Sequence, residues 1–384
     1  MTTDAFGNTK IKVPFFSPYI DKRDKKAVNI ALKSTLLTDG PKLREFEANF
    51  CQFTGAKHAV GVSNATAALH LSLKTLGIGS GDEVIVPDMT FVATANAVLL
   101  TGATPVIVDV DSLDMNMSIT SLEKCITHKT KAILPVHFAG KACKIERIKR
   151  IAKSNEIYLI EDCAHAIGTK VCGKHVGTFG DAGCFSFYPT KNITTLEGGM
   201  LITDKKKIAD DASSARNHGI TKSLGQRYTS KKPWDYDVIT PGYNYRLDEI
   251  RSSLGLSQLK KITRLNNLRK KAFEYYNERL QDINGIEIPD KGLVGEHSFH
   301  LYIIKVKKEF KISRDALYSK LLKSGIRTTV HYKPLHMFSV MKKKAKTYDE
   351  LINSKQIYQQ ALSLPLYPEI SKKQQDLVIQ ALTS

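Results

Sequence analysis

The sequence predicts an α/β protein built on a mostly parallel sheet that is covered on both faces. Three observations predict it. Short apolar runs without breakers recur along the first two-thirds of the chain, as in strands buried on both sides. Stretches of helical spacing alternate with them. Polar residues stand directly after several runs, at the carboxyl ends of strands where such sheets bind ligands.

In chain order, Lys12 to Tyr19 reads as extended and contains Pro14 and Pro18. Asp21 to Leu32 has helical spacing, with Val28, Ile30, Ala31 and Leu32 as its apolar face. Thr38-Asp39-Gly40-Pro41 is a loop, and a helix resumes over Leu43 to Phe53. Ala59 to Val62 is a short buried strand. Ser63-Asn64-Ala65-Thr66 follows it and opens a helix over Ala67 to Leu76, which Gly77 ends. A strand-to-helix junction leaves helical N–H groups free, so this one suits a phosphate; an ordinary N-cap by Ser63 or Asn64 is the alternative.

Strands are predicted at Glu83 to Val86, Pro105 to Val110, Ala132 to Val136 and Ile157 to Ile160, with helices over Phe91 to Leu100 and Ile145 to Lys153. Asp88, His137 and Glu161-Asp162 lie at the strand ends. Asp204 to Asn217 is helical in pattern, and Tyr228 to Asn244, with the only tryptophan, Trp234, is loop-like. Leu247 to Leu280 reads as one long helix that bridges to a second domain. Strands near His300 to Ile304 and Thr328 to His331, and helices over Arg314 to Ser324 and Lys372 to Leu382, furnish that domain. The division expected is a large domain over 1–250 and a small one over 251–384.

Composition narrows the function. The six cysteines form no CxxC pair, which speaks against a zinc ribbon or a redox motif, and no metal is expected. No apolar run is long enough for a bilayer and the N-terminus lacks a signal-peptide core, so a cytosolic protein with no membrane partner is expected. The net charge of +19 is mostly dispersed lysine. Its densest cluster, Lys342-Lys343-Lys344-Ala345-Lys346, has no interleaved aromatics and reads as a solvated face. No nucleic acid is expected, while a basic surface favours anionic small substrates.

Phe185 to Gly199, FSFYPTKNITTLEGG, organises the rest. It starts as a strand, stops at Pro189 and presents Lys191 before a second strand, Met200 to Thr203. Taken alone, Lys191 is a solvated lysine like most. Held at the sheet edge among converging polar residues, it becomes an amine with a lowered pKa, able to form a Schiff base.

LLTDGPKLREFE, VSNATAALHLSL, GDEVIVPDMTFVATANAV, PVHFAG, IEDCAHAIG, FSFYPTKNITTLEGG, GYNYRLDE, VHYKPLH and LSLPLYP stand in this order. Together, from about Pro14 to the C-terminus, they resemble the DegT/DnrJ/EryC1/StrS family of nucleotide-sugar aminotransferases. The resemblance implies a fold-type I pyridoxal phosphate-dependent transferase. Its large domain would hold a mostly parallel seven-stranded sheet, and its smaller C-terminal domain would be α+β.

By the same resemblance, Lys191 holds pyridoxal 5'-phosphate and Asp162 faces the pyridine nitrogen, keeping it protonated so that the ring is an electron sink. Phe91 stacks on the ring, Ala65 and Thr66 bind the phosphate through backbone N–H groups, and Ser186 adds a hydroxyl. His165 matches a position able to bond the ring hydroxyl. Asn244 matches an asparagine that reaches the phosphate from the other subunit of a homodimer. His331 and Tyr332 match a loop near the sugar, and Arg246 is a candidate for an anionic group. Leu196 and Lys141 depart from the family pattern.

The activity implied is transfer of an amino group from glutamate to a nucleotide-linked ketosugar. PVHFAG and His165 resemble members acting on 4-keto-6-deoxy or 4-keto UDP sugars; GDP sugars are the alternative. A sugar dehydratase on the same fold is the nearest rival, and relatives with that activity carry histidine where Lys191 stands. The rival of another class is a basic regulatory or nucleic-acid-binding protein on an inherited fold.

Overall fold

The computed structural model describes residues 11–222, 227, 229–289 and 297–384. Its centre is an eight-stranded sheet. The strands are β1 (His58–Val62), β2 (Glu83–Pro87), β3 (Thr104–Val108), β4 (Thr130–Ile133) and β5 (Tyr158–Asp162). A separate hairpin, β6 (Lys170–Val171) and β7 (Lys174–His175), precedes β8 (Ala182–Ser186) and β9 (Gly199–Thr203). The small C-terminal strands are β10 (Ile286–Glu287), β11 (Tyr302–Val306), β12 (Lys346–Thr347) and β13 (Ala361–Leu364).

The order across the large sheet is β1-β9-β8-β5-β4-β2-β3-β12. β9 runs antiparallel to both its neighbours, and the other pairings are parallel. Seven of the strands belong to the segment expected to hold the sheet. The eighth, β12, comes from the C-terminal part; two residues among lysines carry no apolar period by which to find it.

Strand alternation sends side chains to two cores. Val84 and Val86 join Leu69, Leu71, Leu73 and Val98 on one face, beneath the helices Ala65–Thr75, Ala93–Thr101 and Lys206–Ala215. Ile85 points the other way, into a core with Val106, Ile133, Leu159 and Ile148 of the helix Ile145–Ser154. On that same face Phe46 and Phe50 of the helix Pro41–Thr54 pack against Phe185 and Phe187. Both faces are dry, which is why these strands read as unbroken apolar runs.

The C-terminal part is α+β. β10, β11 and β13 form an antiparallel sheet. Its core gathers Phe273, Tyr276, Tyr302, Ile304, Leu317, Leu321, Leu364 and Val378. Thr328 to His331 makes only a bridge, Thr329 with Ser363, rather than a strand.

The expected long helix is two, Glu249–Leu259 and Ile262–Leu280. Lys261 sits at the break, buried against Asp24 and Asp21 at 2.6 and 3.1 Å. Asp24 is fully buried and also accepts from Ser257 and Gln258. Leaving that carboxylate without its cation is costly, so the charge pairing decides where the helix bends. Glu249 is a second such device. The helix Pro41–Thr54 has no side-chain cap of its own, and the Glu249 carboxylate accepts from the N–H groups of Gly40, Lys42 and Leu43. A negative charge at a helix N-terminus is favourable, and here it fixes the preceding TDG loop.

Candidate active site

All the large-sheet strands but β9 point the same way, so their carboxyl ends share one edge of the sheet. Asp162 ends β5, Ser186 ends β8 and Ser63-Asn64 follows β1. Lys191 lies in the turns after β8, with its N–H bonded to the Tyr188 carbonyl. Thr194 Oγ1 donates to the Phe187 carbonyl, and Asn192 Nδ2 donates to Asn266 Oδ1 and the Ser298 carbonyl. The residues around Lys191 are thus held while its amine, among the described residues, makes no hydrogen bond.

Burial pushes the Lys191 amine down to about 8, against the opposing charge of Asp162. The side chain keeps a partly exposed path to the cleft, so it is desolvated by its walls rather than sealed. A lysine shifted this way is the nucleophilic kind. Asp162 is raised by its own burial, opposed by the Ala164 N–H and the Thr94 hydroxyl. Those donors stand at 3.0 and 2.9 Å, one on each carboxylate oxygen. Thr94 spends its hydrogen on Asp162, so in its 2.8 Å bond with Thr90 the Thr90 hydroxyl is the donor. Each carboxylate oxygen keeps acceptor capacity for a cationic N–H. Thr94 was not legible as a site residue; its place one helical turn past Phe91 was the available signal.

At the start of the helix Ala65–Thr75, Asn64 accepts from the Ala67 N–H at 2.9 Å. The N-cap reading is therefore correct, and it leaves the Ala65 and Thr66 N–H groups for an anion. Gly199 packs against this junction: a Cβ there would lie 2.4 Å from the Asn64 carbonyl carbon. Ser186 Oγ accepts only a long, 3.5 Å bond from the Tyr188 N–H. Phe91 is 57 % exposed above the sheet edge, an aromatic face open to a flat ring. A spare carboxylate, an unbonded amine, free helical N–H groups and an uncovered aromatic fit pyridoxal phosphate.

His165 is buried. Its Nδ1 accepts from the Ala139 N–H at 3.3 Å, so Nε2 carries the hydrogen and donates to the Tyr332 hydroxyl at 3.1 Å. Burial, with the Lys191 charge, holds it well below the ordinary histidine range and hence neutral. Tyr332 also faces Phe91, ring centres 5.8 Å apart. His331 bonds Ser363 Oγ at 2.8 Å and is pushed down to about 3 by burial. Phe15, Thr190, Lys191, His300, His331 and Tyr332 share one small cavity. His300, unforeseen, donates Nδ1–H to Asn192 Oδ1 at 3.0 Å and lies 4.5 Å from the His165 ring. It comes from the distant C-terminal part, where no local pattern marks it.

Asn244 and Arg246 do not reach this cavity within one chain. Asn244 is exposed, its backbone bridged to Asn217. Arg246 donates to Asn217 Oδ1 at 2.8 Å and lines a separate cavity of about 490 Å3 with Arg44, Arg216 and Asp39. Leu196 adopts φ +70°, the left-handed region that favours glycine, and is 55 % exposed. His137, Glu161 and Cys163 lie close enough to suggest a metal. However, His137 Nε2 bonds Glu161 at 3.0 Å, its Nδ1 accepts from the Cys143 N–H, and Glu161 also takes the Gly177, Phe179 and Gly180 N–H groups. The donor set is consumed by the fold. No described helix is long and apolar enough to cross a membrane.

The chain is similar to known proteins over nearly its whole length. Residues 18–383 match the model of the DegT/DnrJ/EryC1/StrS aminotransferase family. The chain is 39 % identical over 373 residues to the spore coat polysaccharide biosynthesis protein SpsC of Bacillus subtilis, covering 96 % of each. It is 33 % identical to Helicobacter pylori PseC, an aminotransferase involved in the biosynthesis of pseudoaminic acid, with a TM-score of 0.90 over 97 % of this chain and 98 % of that one. The GDP-4-keto-6-deoxymannose-3-dehydratase ColD is also similar, at 27 % identity and a TM-score of 0.89 over 97 % and 100 % of the chains.

Proposed function

The chain belongs to the DegT/DnrJ/EryC1/StrS aminotransferase family, and from that premise we propose how its residues divide the work of a pyridoxal phosphate-dependent nucleotide-sugar aminotransferase of glycan biosynthesis. The donor we assign is glutamate, and the acceptor a nucleotide-linked 4-keto or 4-keto-6-deoxy sugar, handled in the cytosol. The observation that carries the reading is Lys191, an unbonded amine lowered to about 8 across from a buried Asp162. The similarity to ColD leaves a dehydratase open on fold alone. Lys191 favours amino transfer over that rival, since the dehydratases carry histidine there.

The bound cofactor supplies an electron sink for charge on the carbon that bears the amine. Lys191 would hold the cofactor and, as general base and acid, would carry the proton to and from the substrate carbon. Asp162, fixed by Thr94 and Ala164, would keep the pyridine nitrogen protonated. Phe91 would cover a ring face, and Ala65, Thr66 and Ser186 would bind the phosphate. His165 orients Tyr332 through the Nε2–H donor, and Tyr332 and His331 border the sugar. Purified enzyme given glutamate and a UDP-4-keto-6-deoxyhexose is expected to release one 2-oxoglutarate per amino sugar. Water loss from the sugar without 2-oxoglutarate would select the dehydratase.

The same reading makes the active unit a homodimer with shared sites. Asn244 is exposed and lies outside its own chain's cavity, as a residue serving a partner would. An unpaired phosphate oxygen should weaken cofactor retention by roughly 1–3 kcal/mol in Asn244→Ala. Mixed with Lys191→Ala, it should regain activity, because one site of the heterodimer then carries neither change. Verified heterodimers no more active than their parents would place both residues in one chain's site.

A further inference from the structure

Asp88 directly follows β2, on the carboxyl edge of the sheet, yet its carboxylate is fully buried and turned to another task. Oδ1 accepts the His336 backbone N–H at 3.0 Å, and Oδ2 accepts His336 Nδ1–H at 2.6 Å and Ser354 Oγ–H at 2.5 Å. The Asp88 carbonyl takes the Leu335 N–H at 2.9 Å. At the end of β3, Asp109 accepts the N–H groups of Asn353 and Ser354 at 2.8 and 2.9 Å. Two strand-end carboxylates thus fasten the C-terminal part to the large sheet.

The fastening bears on one segment. Residues 331–336 are strung between two fixed points: Thr329 and His331 are tied to Ser363, and His336 to Asp88. Tyr332 stands between them. His331, tied to Ser363, directly precedes Tyr332, so the pin at His336 holds the segment on the other side of it. Asp88 also precedes Phe91 by three positions in sequence, and the Phe91 ring faces Tyr332.

We infer that His336 and Asp88 are positioning residues for the sugar step, holding Tyr332 through the His336 Nδ1–H to Asp88 bond. The inference rests on the reading of Tyr332 as substrate-facing. The pair touches neither Lys191 nor Asp162, so it acts on placement rather than on proton transfer. A charge-assisted bond to a buried acceptor is the strong kind, and its loss is felt along the segment it pins.

The test uses the holoenzyme and follows the two half-reactions separately by cofactor absorbance, with glutamate and then with a UDP-4-keto-6-deoxyhexose as probe. His336→Ala and His336→Gln are expected to raise the KM for the probe roughly tenfold, about 1.4 kcal/mol, with the glutamate half-reaction within about twofold of wild type. His336→Asn should restore it, because the asparagine amide nitrogen occupies the place of Nδ1. In a Tyr332→Phe background the His336→Ala effect should vanish, as for residues that act in series. Backbone hydrogen exchange over 331–336 reports the pin without any sugar: faster in His336→Ala, normal in His336→Asn. Should His336→Ala not fold, Ser354→Ala, which removes another Asp88 donor, should show the same split in weaker form. Unchanged exchange, failure of His336→Asn to rescue, or additive effects with Tyr332→Phe would overturn the inference. A Tyr332→Phe enzyme with a normal sugar step would overturn it too, and would remove Tyr332 from the sugar as well.

Discussion

Lys191→Ala is expected to abolish turnover, by at least about a thousandfold, since it removes both the covalent anchor and the general acid–base of the reaction. Wild-type protein should be yellow, and borohydride should remove the absorbance band and leave the label on Lys191. The variant should take up cofactor only loosely, through the phosphate contacts and the Asp162 carboxylate, and should not be labelled. The lowered amine adds a pH signature. A lysine whose folded pKa is depressed is neutral, and so reactive, above that pKa. Cofactor uptake by apo-protein should therefore rise with pH through about 8 and level off, instead of climbing on towards the ordinary lysine value of 10.5. A colourless wild type that takes up no added pyridoxal phosphate, or a Lys191→Ala enzyme with ordinary turnover, would remove Lys191 from its role.

Asp162→Asn should keep the fold and the cofactor while losing most of the rate. Asparagine can still accept the Ala164 N–H, and its amide can face Thr94, whose hydroxyl can turn. What it cannot do is hold a proton on the pyridine nitrogen. The loss of that preorganised contact is expected to cost roughly 3–4 kcal/mol of barrier, or about a hundredfold to a thousandfold in kcat. Cofactor absorbance, unfolding temperature and kcat measured on the same preparation separate the cases. Near-normal kcat would refute the assignment, and lost cofactor with a lowered unfolding temperature would mean that Asp162 acts through stability instead.

Much of this was legible because the signals are local. β2 and β5 are recognisable from apolar runs because both of their faces are dry. The helix at Ala65 announces itself by Asn64, and the C-terminal helix by Ser371 and Gln374, a capping box. Lys191 and Asp162 stand out through the FSFYPTKNITTLEGG and IEDCAHAIG motifs that carry the resemblance. By contrast, the break at Lys261 depends on Asp24, a residue more than two hundred positions away. The two-residue strand β12 exists only because Val106 and Ile107 offer it an edge. Neither partner marks the other in the sequence.

The sequence by itself determined the family and the mostly parallel sheet, because each rests on residue type, short-range period or a motif, and its motifs single out Lys191 and Asp162 as the amine and carboxylate expected at the cofactor. Only the tertiary structure decided the rest. It brought Thr94 to Asp162, set His300 against His165, and placed Arg246 in a separate cavity, with Asn244 exposed outside its own chain's site. It also turned Asp88 from a ligand-facing strand end into the anchor of the segment that bears Tyr332. The physical reason is that a hydrogen bond reads distance and direction in space, and a buried polar group takes whichever partner the packing delivers.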